Sequence, residues 1–197
     1  MVKNKKRKMK MKKLAIMLGI VALAAVTQAA SFSWKTSYSG KVYAPGTDTV
    51  IASATAYLFD ASATTQASLV EAFAAGTLDL TSGDISSAAI SAGKIASTTF
   101  TDGTAYGDTL TAYFATVVTI DSKDYLFVSD AVDALAVEGK TSAIQFAANT
   151  ASQAAAMDAS AGYTTGGWYA AAAVPEPTSG LLMLVGLAGL ALRRRRA

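Results

Sequence analysis

Eight acidic side chains in the middle of the chain, Asp60, Glu71, Asp79, Asp84, Asp108, Asp130, Asp133 and Glu138, are of the type that hydrolyses glycosidic bonds. That chemistry needs one protonated carboxyl as acid and one ionised carboxylate as base or nucleophile, about 5–10 Å apart across a cleft. Their linear spacing pairs no two of them. Most sit among Ser, Thr and Gly, where a short carboxylate ordinarily supports a turn. Carboxylate oxygens also bind calcium, and Asp102 with Asp108 or Asp121 with Asp124 come nearest to such a site. Neither pair follows the twelve-residue loop with its closing Glu, so both read as turns.

Composition excludes several other chemistries. The chain has no His and no Cys, which rules out a Ser-His-Asp triad, a Cys-His dyad, the usual zinc sites and haem attachment. Gly103-Thr104-Ala105-Tyr106-Gly107 lacks the Lys-Ser/Thr of a phosphate-binding loop and reads as a turn. Trp34, Trp168, Tyr43 and Tyr163 would stack on sugar rings if exposed, but large aromatics in a small sandwich more often fill the core. The expectation is a protein without catalytic residues, cofactor or metal. Carbohydrate binding is the alternative, and a secreted glycoside hydrolase comes third.

The elements that would position these side chains are mostly strands. From Thr109 to Ile120, Leu110, Ala112, Phe114, Val118 and Ile120 alternate with Thr109, Thr111, Tyr113 and Thr119, the pattern of a half-buried strand. Asp121 to Asp124 supplies turn residues, and Tyr125 to Val128 completes a hairpin. Thr49–Phe59, Thr141–Phe146 and the stretch holding Phe32, Trp34 and Tyr38 read as further strands. One short helix is expected where Ser68 and Glu71 have capping-box spacing, Leu69, Val70 and Phe73 share a face, and Gly76 closes the end. Ile85, Ile90, Ile95 and Phe100 recur every five residues and Gly83, Gly93 and Gly103 every ten, which fits a small meander better than a solenoid of so few turns. The fold class expected is mainly β, an antiparallel β-sandwich with one short crossover helix.

Charge separates the middle from the ends. Residues 30–173 hold five basic and 13 acidic residues, a balance of −8, and all 17 aromatics. The basic pI comes from the termini alone, so the body lacks the Lys/Arg needed to neutralise phosphates and no nucleic-acid partner is expected. At the N-terminus, Met1 to Lys13 is basic, Leu14 to Val26 is apolar, and Thr27-Gln28-Ala29 offers small residues for a signal peptidase, with Thr27 and Ala29 at the positions read. These are the three regions of a secretory signal peptide in order, and the apolar run is shorter than the roughly 20 residues of a permanent span.

The C-terminus runs Val174, Pro175, Glu176, Pro177, Thr178, then apolar from Gly180 to Leu192, then Arg193, Arg194, Arg195 and Arg196. The prolines impose a non-helical spacer, and the arginines are a stop that holds the C-terminus on the cytoplasmic side. The apolar run is short for a lasting anchor, which suits a transient span through a locally thinned bilayer.

This tail resembles the PEP-CTERM sorting signal, read and cut in that family by an exosortase. The resemblance implies export by the translocon and signal peptidase, passage through the inner membrane, cutting near Pro175-Glu176-Pro177, and a final place at the cell surface or outside the cell. It also implies an exosortase-like enzyme and an extracellular polysaccharide as partners. The expected organisation is a signal peptide (1–29), an exported β-sandwich (30–173) and a sorting or anchor segment (174–197), with a signal helix and a membrane helix flanking the sandwich. The expected role is that of a cell-surface or matrix structural protein.

Overall fold

The computed structural model describes residues 29–147 and 155–171. Thr27, Pro175, Glu176, Pro177, Arg193 to Arg196 and both expected flanking helices lie outside the described residues. Among the described residues, no helix is long and apolar enough to cross a membrane.

The strands are β1 (Ala30–Thr36), β2 (Ser53–Asp60), β3 (Asp84–Ser91), β4 (Lys94–Ile95), β5 (Thr98–Asp102), β6 (Thr109–Ile120), β7 (Lys123–Val128), β8 (Val132–Leu135), β9 (Thr141–Phe146), β10 (Met157–Asp158) and β11 (Gly167–Ala170). One helix, α1 (Gln66–Ala74), follows β2. A small sheet has the order β5-β1-β9; a large one has the order β10-β11-β7-β6-β2-β3-β4. β8 prolongs the line of β7 along β6, pairing Thr109 with Leu135 where β7 paired Ala115 with Val128.

The central hairpin forms as its alternation requires. Asp121 and Ser122 take positive φ of 50° and 61° between the paired Ile120 and Lys123, the two-residue turn whose twist matches the strands. Inward residues of the two sheets meet in one core: Trp34 lies against Phe114 and Phe146, Phe114 against Phe127, and Phe127 against Trp168. Both Trp rings are buried with their N–H groups satisfied, Trp34 Nε1 donating to Ser86 Oγ at 3.0 Å and Trp168 Nε1 to the Tyr43 carbonyl at 3.1 Å.

Four expectations need correction. The face of β6 opposite the sandwich core is covered at its centre: Tyr113 and Ala115 are fully buried, packed with Phe59, Tyr169 and the α1 residues Leu69, Val70 and Phe73. The helix has an apolar stripe of its own to bury, and the outer sheet face is where it does so, giving three layers in place of two. The sandwich is not wholly antiparallel, because β1 pairs β9 and β10 pairs β11 in parallel. β1 and β9 are far apart in sequence, while β10 and β11 are joined by a short segment that includes the 3-10 turn Ala159–Ala161, and alternation within single strands reveals neither pairing. The strand expected from Thr49 starts at Ser53, because Val50 pairs with Tyr43 across a small arm that turns at Gly46. The helix begins earlier than the Ser68/Glu71 spacing suggests: Thr65 is its N-cap, accepting the Ser68 amide, and the Ser68 hydroxyl donates back to the Thr65 carbonyl.

At the other end of α1 the Gly76 expectation holds. Gly76 has φ of 69°, its N–H reaches the Phe73 carbonyl and the Thr77 N–H reaches that of Ala72, a Schellman closure. The five-residue recurrence resolves into neighbouring strands: Ile90 pairs with Ile95 across the Ala92-Gly93 turn, and Phe100 on β5 stacks on Phe32 in the small sheet. The meander thus changes sheet between β4 and β5.

Candidate functional site

Seven of the carboxylates, Asp60, Asp79, Asp102, Asp124, Asp130, Asp133 and Asp158, serve the local backbone or a neighbouring hydroxyl. Asp60 accepts from the amide and hydroxyl of Ser62, Asp79 from those of Thr81, and Asp158 from those of Ser160. Asp102 accepts the Thr104 amide at 2.9 Å and its hydroxyl as well. The recurring unit is Asp-x-Ser/Thr, a carboxylate closing its own turn through residue i+2. Asp133 accepts the Thr111 hydroxyl and Asp124 that of Thr119, both across strand pairs and both at 2.6 Å. Asp130 accepts the Gly166 amide at 3.1 Å.

These contacts set the electrostatics. The Thr81 hydroxyl, then its amide, holds Asp79 below the usual carboxylate range, and the Ser160 amide, then its hydroxyl, does the same for Asp158. A glycosidase acid needs the opposite shift, produced by burial. Among the described residues, no group of three or more acids converges in a way that could hold a metal ion. Asp102 and Asp124, each half of a calcium pair considered above, are both engaged by threonine hydroxyls.

The aromatic candidates divide. Trp34 and Trp168 are core residues and present no ring to a ligand, while Tyr43 and Tyr163 are half-buried. Burial, with Asp130 and then Tyr169 nearby, raises the Tyr163 hydroxyl to about 12. The threonines of the outer β6 face make no continuous hydroxyl row, since Tyr113, Ala115 and Val117 stand between Thr111 and Thr119.

A concavity that spacing did not disclose lies on the helix side of the large sheet. This groove, about 600 Å³, has Tyr57, Val117, Phe73 and Leu78 among its apolar walls, with Thr55, Thr81, Asp79 and Asp124 supplying polar groups. It forms because the chain leaves α1 at Gly76 and returns to β3 through Leu78–Thr81, so that the helical layer stops short of the hairpin end of the sheet. Its residues come from five separate segments, so only the tertiary structure assembles it. Ala171, the last described residue, also lines it.

β11 runs antiparallel to β7, pairing Gly167 with Val128 and Ala170 with Tyr125. The chain therefore leaves the body beside the Asp121-Ser122 turn, at the end opposite to Ala30, which pairs with Asp102. Residues 173–196, which follow this exit almost at once, match the family model of the PEP-CTERM protein-sorting motif. No curated protein and no solved structure matches the chain. A β-rich body whose last strand, β11, lies between β10 and β7 thus leads into the matched segment, and the chain is a carrier of the PEP-CTERM protein-sorting motif, the signal of exported proteins that an exosortase processes.

Proposed function

We propose that this protein is a structural component of the cell surface or extracellular matrix, exported by its N-terminal signal peptide and released into place when its tail is cut near Pro175-Glu176-Pro177. The sorting motif at residues 173–196 carries this reading. Its start, three residues beyond the end of β11 at Ala170, supports cutting that leaves the layered body whole. The engagement of the Asp side chains in turns and strand pairs supports a structural rather than a catalytic body.

Intact and peptide mass spectrometry of the native protein, recovered separately from envelope and medium, tests it. A chain beginning near Ala30 and ending near Pro177, without Leu181 to Arg196, is expected. Arginines retained in an inner-membrane pool would replace sorting with permanent anchoring.

Carbohydrate binding is the second reading, favoured by the groove rather than by either Trp. Tyr57 is half-buried there beside hydroxyls and two carboxylates, a combination suited to sugar hydroxyls and a sugar face. A glycan-array signal abolished by Tyr57→Ala, with an unchanged melting profile, would support it; an array without signal would remove it.

A further inference from the structure

The body's few positive charges are not spread evenly. Lys35 stands near the end of β1, Lys41 precedes Val42, whose amide bonds the Gly93 carbonyl, and Lys94 follows Gly93 in the β3–β4 turn. The Ile95 amide donates to Thr36 Oγ1, which brings the β1 end and the β4 turn together. Lys123 opens β7 at the tip of the central hairpin. By strand register these positions share one end of the sandwich, since Ser53 at the start of β2 pairs with Ser91, which in turn pairs with Lys94, and β2 lies antiparallel to β6. Four of the body's five lysines therefore lie at the end from which the sorting segment leaves.

The opposite end is acidic. Asp60 closes β2, Asp84 opens β3, Asp102 closes β5, Asp108 precedes β6, Asp133 lies in β8 opposite Thr111, and Glu138 lies in the β8–β9 turn, against Lys140 alone. The lysine end also carries acids: Asp121 and Asp124 adjoin Lys123, Asp79 faces Asp124 across the groove, Asp158 lies beside Ala170, and Asp48 sits in the arm between Tyr43 and Val50. The charge along the long axis is thus near balance at the tail end and strongly negative at the other.

The tail end bears one more unusual feature. Tyr38 is 97% exposed, and Lys94 is held over it, with Nζ 5.6 Å from the ring centroid and donating to the Tyr38 carbonyl at 3.2 Å. An exposed Tyr flanked by lysines is the pairing found at membrane–water interfaces, where the ring sits among headgroups and the ammonium meets phosphate.

We infer that this end, through Tyr38, Lys35, Lys41 and Lys94, rests on an anionic phospholipid surface while the tail is inserted, orienting the body and holding the cutting site at the bilayer. The inference rests on the sorting reading above. Eight residues, Ala172 to Ser179, separate the body from the apolar run, and even a fully extended chain of that length spans at most about 30 Å. β6 alone, with 12 residues, is about 40 Å long. The tether is shorter than the body, so the inverted orientation, with the acidic end on the lipid and the tail end a body length away, is out of its reach. Each lysine close to an anionic surface strengthens the contact about fivefold, and the acidic end opposes the inverted orientation. The effect reaches only about 8 Å at physiological salt, so it operates as a contact.

The absence of Cys from the sequence permits single-site labelling of the full chain. Ser39→Cys beside Tyr38 and Ala105→Cys at the acidic end, each carrying a donor fluorophore, are reconstituted into vesicles containing a headgroup acceptor, either in pure phosphatidylcholine or with about one third phosphatidylglycerol. Flotation with neutral vesicles that is lost when residues 180–196 are removed reports tail insertion, since Leu14–Val26 is also apolar; energy transfer reports the contact. Expected are flotation with both lipids, stronger transfer from residue 39 than from 105, and a rise at residue 39 with anionic lipid. That rise should be lost in Lys35→Gln/Lys41→Gln/Lys94→Gln and in high salt, with the melting profile unchanged. Failure to float overturns both the sorting reading and the contact. Flotation with transfer indifferent to lipid charge overturns the contact alone, as does a residue-39 response to a soluble polyuronate but not to lipid, which would reassign the lysines to an acidic polymer.

Discussion

The Ser129 hydroxyl accepts the Phe114 amide at 2.9 Å, and the Ser129 amide donates to the Phe114 carbonyl at the same distance. A side chain thereby stands in for a missing strand carbonyl at the point where the line of β7 slips by one residue to become β8. The Ser129 carbonyl also accepts Gln66 Nε2 at 2.7 Å, tying the first turn of α1 to the same spot. Ser129→Ala would leave the buried Phe114 amide without its acceptor, a loss of about 1–3 kcal/mol. Urea unfolding should show a lower midpoint with an unchanged slope. An unshifted midpoint would mean that the irregularity needs no such patch.

Gly166 is fixed by close approach rather than by backbone angle. A Cβ there would lie 2.6 Å from Asp130 Oδ1 and 2.7 Å from the Asp130 backbone nitrogen. Gly166→Ala is therefore expected to destabilise the body strongly, displacing the entry to β11 and with it the strand that leads to the sorting segment. Adding Asp130→Ala removes the carboxylate but leaves the nitrogen, so most of the loss should persist in the double variant. Thermal denaturation of the two single variants and the double variant decides the point; full rescue would place the clash in the side chain alone.

Trp34→Ala and Trp168→Ala should each remove about 3–5 kcal/mol, the range for emptying a large aromatic site in a core. The two rings sit at opposite ends of a chain of contacts running through Phe114 and Phe127. Each variant also strands a polar group, the Ser86 hydroxyl or the Tyr43 carbonyl. Chemical denaturation of either variant measures this, and loss of a glycan signal with unaltered stability would contradict it.

Local patterns in the sequence disclosed local structure well. The alternation through Thr109–Ile120, a turn within Asp121–Asp124 and the Gly76 closure are each decided by neighbours in sequence; the structure keeps all three, but shortens the turn to Asp121-Ser122 and starts β7 at Lys123 rather than Tyr125. The cover over Tyr113 and Ala115 was not legible, because a strand buried on both faces at its middle differs from a half-buried one only by what α1 does elsewhere. The parallel pairing of β1 with β9 unites residues more than a hundred positions apart, beyond the reach of any periodicity. The tail-end grouping of Lys35, Lys41, Lys94 and Lys123 was equally hidden, since only register shows that they share an end. The Asp-x-Ser/Thr turns, by contrast, were readable from Asp60, Asp79, Asp102 and Asp158 as they stand.

Stability should be level through the neutral range and fall at both extremes. The sequence has no His or Cys, so almost nothing in it titrates between about pH 5 and 9. On the alkaline side, burial, then Asp130 and Tyr169, raises Tyr163 to about 12, and burial, then Tyr163, pushes Tyr113 higher still. The unfolded chain ionises both near 10.0. Stability from this source is fully present below that value and is lost as pH rises toward the folded values, because the unfolded state releases its protons first. On the acid side, Asp79 and Asp158 are held below 3.8, so their contribution is present above that value and is lost as pH falls through the lower folded values. Melting temperature against pH should show a plateau with two shoulders. Tyr163→Phe should flatten the alkaline shoulder and leave the acid one, and Asp79→Asn should do the reverse. A slope across the neutral plateau would point to a titrating group in the body other than these, and an alkaline shoulder unmoved by Tyr163→Phe would shift the effect wholly to Tyr113 beneath the helix.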